Sequence, residues 1–206
     1  MSGGGELKRI IVGVTGASGA RYATGLLRAL LDGGAEVHLI VSTFGRRLLR
    51  DELGLERVDD VSLIGRRDER LVVHGYKDVG SVLGSGSFRT AGMIVCPCST
   101  NTFASIAAGL GDNLIDRAAA VTLKERRRLV LVLREMPLTH IDLLNAVRLS
   151  EAGAIICPAS PGFYMLPEKI DDLVNFVVGK LADLFDVPHA LHTRWQDSEV
   201  MRRSQP

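Results

Sequence analysis

The sequence lacks the features that mark several classes of protein. Its 206 residues include only three cysteines, an odd number that builds no disulfide framework and favours a reducing cytoplasm. The 25 lysines and arginines nearly balance the 24 aspartates and glutamates, so no strong field attracts nucleic acid or an anionic membrane. No apolar run reaches the roughly 20 residues of a transmembrane helix. These absences predict a water-soluble cytoplasmic protein.

Two further absences concern processing signals and metals. Residues 1–6 are glycine-rich and lack the basic and apolar regions of a signal peptide, so we expect a flexible leader. Cys96, Cys98 and Cys157 leave no evident fourth ligand for zinc. We interpret these residues as buried thiols and predict no metal site.

Short apolar runs are abundant, in keeping with 46% hydrophobic residues. Those that predict buried strands are Ile10–Val14, Met93–Cys96, Leu129–Leu133 and Ala154–Cys157, and two further strands are predicted at Glu36–Val41 and Leu71–His74. Helical patterns lie between them and after the last one. This alternation predicts one α/β domain over residues 7–186, with a mostly parallel sheet and helices on both faces. Residues 187–206 are predicted to be a polar tail.

The first strand runs into a glycine-rich turn, Gly13-x-x-Gly16-x-x-Gly19. This spacing is neither the dinucleotide fingerprint nor a Walker loop. The N-terminus of the following helix offers N–H groups and a positive dipole end to an anion. The turn is therefore a candidate cradle for a phosphate or cofactor, although an ordinary βα turn explains the pattern equally well.

Polar residues follow most of the predicted strands. They are Gly16-Ala17-Ser18, Ser42, Cys98-Ser99-Thr100, Arg134-Glu135 and Pro158-Ala159-Ser160. Ligands of open α/β sheets bind beyond the carboxyl ends of the strands, so these residues predict a binding site that holds an anion. They do not form a Ser-His-Asp or Cys-His arrangement suited to hydrolysis. A phosphorylated cofactor such as FMN suits this edge better than a nicotinamide dinucleotide.

Four other features have ordinary structural interpretations. We interpret His38, inside the second strand, as a satisfied core or edge histidine rather than a catalyst. Glu52 lies on a predicted helix and is expected to be solvated. The segment Gly80–Ser87 is interpreted as a plain loop, with a phosphate-wrapping loop as the alternative. The charges of Lys124–Arg128 are expected at a solvated helix end.

Several motifs occur together in a fixed order. They are Thr15–Gly19, Cys96–Thr100, Arg117–Ala119 leading to Leu123–Arg127, Leu131–Glu135 and Pro161–Tyr164. This series resembles the flavin prenyltransferases, the UbiX-like family, and the resemblance extends from Ile10 to Trp195. It implies a Rossmann-like FMN-binding fold, assembled as a homododecamer.

The resemblance also implies an activity. The family joins a dimethylallyl group from dimethylallyl phosphate to N5 and C6 of reduced FMN, without a metal. The product, prenylated FMN, serves a UbiD-like decarboxylase. Two alternatives remain open: a flavin-dependent cysteine decarboxylase and a non-catalytic FMN carrier. The first should have a Pro-x-Met-Asn segment where this chain has Arg134–Pro137.

Roles for individual residues follow from the same resemblance. FMN contacts are implied for Gly16, Ala17, Ser18, Ser42, Cys98, Ser99, Thr100, Asn101 and Arg134. Binding of the prenyl donor is implied for Ser87, Lys124, Tyr164, Lys180 and Trp195. Catalytic roles are implied for Ser18, Glu52, Arg117, Lys124 and Glu135. Many relatives have arginine in place of Lys180, and lysine keeps the charge without the bidentate geometry.

Overall fold

A computed structural model describes residues 7–191, and its six strands all belong to one sheet. The strands are Arg9–Val14 (β1), Glu36–Val41 (β2), Leu71–His74 (β3), Gly92–Cys98 (β4), Arg128–Leu133 (β5) and Ile155–Ile156 (β6). The helices are Ala20–Asp32 (α1), Thr43–Leu53 (α2), Asp60–Ile64 (α3), Thr100–Ala107 (α4), Leu114–Lys124 (α5), His140–Glu151 (α6) and Ile170–Leu184 (α7). The predicted leader and Trp195 lie outside the described residues.

The strand order is β3-β2-β1-β4-β5-β6, and every neighbouring pair is parallel. Val12 of β1 is in register with Leu39 of β2 on one side and with Ile94 of β4 on the other. The direction of winding therefore reverses between β1 and β4. Such a switch point opens a crevice at the carboxyl ends of the two strands.

Both faces of the sheet are covered by helices. Val12 and Leu39 belong to one buried cluster, which includes side chains of α1 and α7. Ile11 and Met93 belong to the other, with side chains of α4 and α5. Burial on both faces explains the continuous Ile/Val runs of the strands. The predicted α/β domain is confirmed, and its three layers are those of a Rossmann-like fold.

Two helix starts are fixed by caps formed from nearby polar residues. The Ser99 hydroxyl accepts a hydrogen bond from the Thr102 N–H at the start of α4. Thr139 and Asp142 form a reciprocal capping box at the start of α6. Each cap satisfies backbone N–H groups that have no partner within the helix, so short polar residues here fix where the helix begins.

Three elements differ from the predictions. The fourth strand does not stop at Pro97 but continues to Cys98, with a register shift that accommodates the proline. The predicted core strand at 154–157 is a two-residue, half-buried edge strand. The segment Gly80–Ser87 is not a plain loop, because it contains the 3₁₀ turn Val82–Gly84 with Leu83 buried in the core.

Candidate active site

The carboxyl ends of β1, β4 and β5 are joined by hydrogen bonds. The Thr15 hydroxyl donates to the Pro97 carbonyl and accepts from the Ser99 N–H, both at 2.8 Å. The Arg134 N–H donates to the Cys98 carbonyl at 3.3 Å. Thr15 is 1% exposed, so these bonds are shielded from water. They fix the loops that follow the three strands relative to one another.

The Arg134 side chain reaches across the carboxyl ends of the strands to the glycine-rich turn after β1. Its Nε donates to the Ser18 carbonyl at 3.1 Å. Arg134 is half-buried, while Gly16 and Ser18 are exposed beside it. A cationic guanidinium and open backbone thus meet at the switch point. We call the residues Gly16–Gly19, Ser42, Cys98–Asn101 and Arg134 the strand-tip crevice.

Glycine at position 16 is required by the packing of the crevice. A Cβ there would lie 2.5 Å from Cβ of Phe44, a residue that is 69% exposed. Ser42 supports the same wall, since its N–H donates to the Val14 carbonyl and its hydroxyl accepts from the Gly45 N–H, both at 2.9 Å. The crevice therefore places an exposed aromatic ring beside open backbone, a combination that suits a planar ligand.

The N-terminus of α1 is occupied by a carboxylate of the chain itself. Glu52, on α2, accepts hydrogen bonds from the N–H groups of Gly19 (3.1 Å) and Ala20 (2.8 Å). The prediction that this terminus offers free N–H groups to a ligand anion is therefore wrong, because Glu52 supplies the negative charge at the positive dipole end. The expectation that Glu52 is merely solvated is wrong for the same reason.

The thiols near the crevice are neutral groups. Complete burial raises the pKa of both Cys96 and Cys98 far above the ordinary value of a thiol. A thiolate is the form that attacks electrophiles and binds metals, so these cysteines do neither at neutral pH. Because the Cys98 side chain is buried in the core, the backbone is its only route of contact with a ligand.

A second group of polar side chains surrounds the end of α5. Lys124 Nζ lies 3.3 Å from Glu125 Oε1. The Arg127 guanidinium donates to the carbonyls of Gly86 (2.6 Å) and Phe88 (2.8 Å). Exposed Ser85 and Ser87 share a hydroxyl hydrogen bond of 2.8 Å in the adjoining segment. We call residues Ser85–Phe88, Arg117 and Lys124–Arg127 the Lys124 cluster.

Comparisons with known proteins identify the family. Residues 3–182 match the family model described as Flavoprotein. The flavin prenyltransferase UbiX of Halalkalibacterium halodurans is 44% identical over 189 residues, covering 89% of this chain and 91% of that protein. UbiX of Deinococcus radiodurans is 44% identical over 192 residues, covering 93% and 95%. The chain belongs to the UbiX-like flavin prenyltransferases.

Solved structures agree with this membership. A UbiX protein crystallised with FMN and dimethylallyl pyrophosphate matches with a TM-score of 0.86 and 41% identity, covering 92% of this chain and 98% of that one. A dodecameric FMN-dependent UbiX-like protein from Escherichia coli matches with a TM-score of 0.84 and 43% identity, covering 91% and 99%. An FMN-dependent cysteine decarboxylase is 20% identical with a TM-score of 0.54, a likeness that shows the fold alone.

The residues implied by the UbiX-like resemblance lie in separate places. Arg134 follows β5 and lies at the carboxyl end of the strand. Lys124 precedes β5 and lies at its amino end. Six strand residues span about 20 Å. Within a single chain, Ser18 and Arg134 therefore lie at one end of β5 and Lys124 at the other, although the resemblance implies that all three act on one reaction. Arg117 lies on the same helix as Lys124, two turns before it, and Gly84 packs against its side chain, with Ser87 in the same segment.

The remaining implied residues surround β6 and the tip of β5. Tyr164 lies in the loop after β6 and packs edge-on against Phe176, with ring centroids 5.6 Å apart. Lys180 is exposed on α7 and lies near Cys157, where its charge lowers the pKa of the thiol and partly offsets the larger, raising effect of burial. Glu135 is exposed beside Arg134. Trp195 lies outside the described residues.

One organising residue of the UbiX-like site was not singled out from the sequence. Thr15 ties β1 to β4 through both its donor and its acceptor. Its sequence signal is a single hydroxyl between an apolar run and a glycine turn. That signal is weak, because the identity of its partner depends on which strand lies next to β1.

Proposed function

We propose that this chain is a flavin prenyltransferase that joins the dimethylallyl group of dimethylallyl phosphate to N5 and C6 of reduced FMN. The observation that supports this best is the strand-tip crevice, where Arg134 is bonded to the Ser18 carbonyl at the switch point of a UbiX-like sheet. The prenylated FMN leaves for a UbiD-like decarboxylase, and the reaction takes place in the cytoplasm.

The crevice fits a flavin phosphate. Arg134 supplies a fixed positive charge, and the exposed backbone at Gly16 allows close approach of a flat ring beside Phe44. The start of α4, from Ser99 to Asn101, adds a positive dipole end, which suits a phosphate now that Glu52 fills the start of α1. Reduced FMN would supply the nucleophilic atoms N5 and C6, and the UbiX-like resemblance implies that Ser18 lies near N5.

The phosphate of the donor needs positive charge where the leaving group develops negative charge. Lys124 and Lys180 supply it, and Tyr164 supplies a hydrogen bond. Because Lys124 lies about 20 Å from Arg134 along the strand, the Lys124 that serves a given crevice belongs to another copy of the chain. Arg117 and Ser87 come with it. Each site is thus shared between subunits.

An apolar surface for subunit contact is present beside the crevice. Met136, directly after Arg134 and Glu135, is 87% exposed. Helix α6 exposes a row of further apolar side chains: Ile141, Leu143, Leu144 and Val147. A contiguous patch of this kind marks a protein interface. A second copy of this chain covers it in the proposed homododecamer, in line with the dodecameric relative from Escherichia coli.

Mass spectrometry of the flavin tests the proposed activity. Purified protein incubated without oxygen with reduced FMN and dimethylallyl phosphate is expected to yield a flavin heavier by one prenyl group. Dimethylallyl pyrophosphate in a parallel incubation tests the choice of donor. Unchanged FMN with both donors would contradict the proposal and leave the FMN carrier, whereas loss of carbon dioxide from a cysteine peptide would indicate the cysteine decarboxylase.

Glu52 is proposed to accept the proton lost when the new ring closes, with exposed Glu135 as the alternative acceptor. Glu52→Gln keeps an oxygen that accepts from the Gly19 and Ala20 N–H groups, so the melting temperature is expected to stay close to wild type. We expect kcat to fall about tenfold, less than for a sole base, because Glu135 or water also takes up the proton.

The matched control for this prediction is Glu135→Gln, measured by the same assay of prenylated FMN. Turnover that falls only in Glu135→Gln would transfer the role to Glu135. Unchanged turnover in Glu52→Gln would show that Glu52 acts only as the cap of α1.

A further inference from the structure

Four side chains outside the strand-tip crevice form a continuous line of hydrogen bonds. The Ser81 hydroxyl lies 3.2 Å from Nδ1 of His74, and Nε2 of His74 lies 2.9 Å from Nδ1 of His38. Nε2 of His38 lies 2.8 Å from the Glu36 carboxylate. His38 is 5% exposed. All four ring nitrogens of His38 and His74 thus have a hydrogen-bond partner.

The geometry assigns the protons along this line. The Glu36 carboxylate only accepts, so Nε2 of His38 carries a hydrogen and Nδ1 of a neutral His38 accepts. His74 therefore donates from Nε2 and accepts at Nδ1, where the Ser81 hydroxyl donates. Burial lowers the pKa of both histidines, in keeping with two neutral rings. The prediction that His38 is a satisfied histidine is confirmed.

This line holds both ends of the segment that follows β3. Ser81 is bonded to His74 at one end of the segment. At the other end the Phe88 ring packs edge-on against His38, with centroids 5.0 Å apart at 88°. Leu83, between them, is 1% exposed and packs in the cluster that contains α5. The pair therefore anchors residues 81–88 against the sheet and α5.

The anchored segment contacts the residues that follow the end of α5. Arg127 donates to the carbonyls of Gly86 and Phe88. Gly86 packs so closely on Glu125 that a Cβ would collide with its carboxylate. Glu125 in turn pairs with Lys124 at 3.3 Å. An unbroken series of contacts thus runs from the histidine pair to Lys124.

We propose that His38 and His74 are positioning residues for the donor-binding half of the site. They fix residues 81–88, and through Arg127 and Glu125 they fix Lys124 and the hydroxyls of Ser85 and Ser87 around the phosphate of the prenyl donor. This inference rests on the proposed function. We expect the effect to fall on the donor, because residues 81–88 contact Arg127 and Glu125 at the amino end of β5, whereas Arg134 follows the carboxyl end of that strand.

The test compares His74→Phe and Ser81→Ala with wild type. His74→Phe removes both bonds of His74, and we expect the KM for dimethylallyl phosphate to rise about tenfold, the equivalent of about one hydrogen bond of 1.4 kcal/mol. The Kd of FMN and kcat at saturating donor are expected to stay within about twofold of wild type. Ser81→Ala breaks only the link to the segment, and a smaller rise in KM, about threefold, is expected.

Hydrogen exchange and calorimetry complete the test. Amide exchange in His74→Phe is expected to quicken in residues 81–88 and to stay unchanged in residues 15–19. An unchanged KM in both variants, or an equal loss of FMN and donor affinity, would overturn the proposal. Donor binding to wild-type protein holding oxidised FMN is measured by titration calorimetry. If wild type binds no donor, the proposed function fails rather than this inference.

The assignment of neutral rings to His38 and His74 is tested separately by the pH dependence of stability. Since the pKa of each histidine is lowered in the folded state, the unfolded chain binds more protons just below the ordinary histidine pKa of about 6.5. The free energy of unfolding of wild type is therefore expected to decrease as the pH falls through this range. Glu36, Arg9 and Asp78 are the charged groups that act on the pair. The slope should be shallower in His74→Phe, and equal slopes would contradict two neutral rings.

Discussion

The Lys124→Ala variant is expected to bind FMN with wild-type affinity and to lose about 1,000-fold in the rate of prenyl transfer. In wild type, the ammonium group of Lys124 offsets the negative charge that develops on the departing phosphate. Alanine leaves that negative charge without a positive partner. FMN binding should persist because the flavin is proposed to be held by Arg134 and the backbone around Ser18, whereas Lys124 is proposed to contact the donor phosphate. Flavin fluorescence titration measures binding, and mass spectrometry of the flavin measures turnover.

Lys124→Arg is the control for this prediction, because it keeps the charge and should recover most of the lost rate. Lys124 is 62% exposed on its side chain and ends α5, so neither substitution opens the core. Unchanged turnover in Lys124→Ala would remove this residue from the mechanism.

Mixed oligomers test whether the site is shared. Co-expression of Lys124→Ala with Arg134→Ala subunits is expected to restore about a quarter of the wild-type rate, since one site in four joins an intact crevice to an intact Lys124 from another copy. Each variant alone should be nearly inactive. No recovery in the mixture would show that both residues of a site come from one chain.

The parts of the fold that the sequence predicts are those decided locally. The run Ile10–Val14 is apolar throughout because the strand is covered on both faces, and Thr139 with Asp142 specifies the start of α6 through its own cap. The edge strand Ile155–Ile156 was predicted to be buried, since four apolar residues cannot reveal that no strand beyond it covers one side. The 3₁₀ turn around Leu83 was missed because glycine and serine dominate its neighbourhood.

The features of the candidate site also divide into those that the sequence predicts and those that depend on how the elements pack. That Arg134 and Ser18 meet could be predicted, because the carboxyl ends of parallel strands share one edge. The position of Glu52 could not, since a side chain on α2 reaches the start of α1 only through the packing of the two helices. The separation of Lys124 follows from its place at the end of a helix that leads into β5. Grouping residues by resemblance obscured this, because a resemblance does not state which copy of the chain supplies each residue.

Arg134→Ala is expected to weaken FMN binding about 100-fold, as measured by quenching of flavin fluorescence. The substitution removes the charge of the crevice and the bond from Nε to the Ser18 carbonyl, and a hydrogen bond from a charged group contributes about 1.5–3 kcal/mol. Arg134→Lys keeps the charge without the Nε donor or the planar fork, so its affinity should lie between those of alanine and wild type. Because the Arg134 backbone N–H, which holds the Cys98 carbonyl, survives both substitutions, the melting temperature of the FMN-free protein should change little. Wild-type FMN affinity in Arg134→Ala would mean that the flavin binds away from the switch point between β1 and β4, and the proposed site would then be wrong.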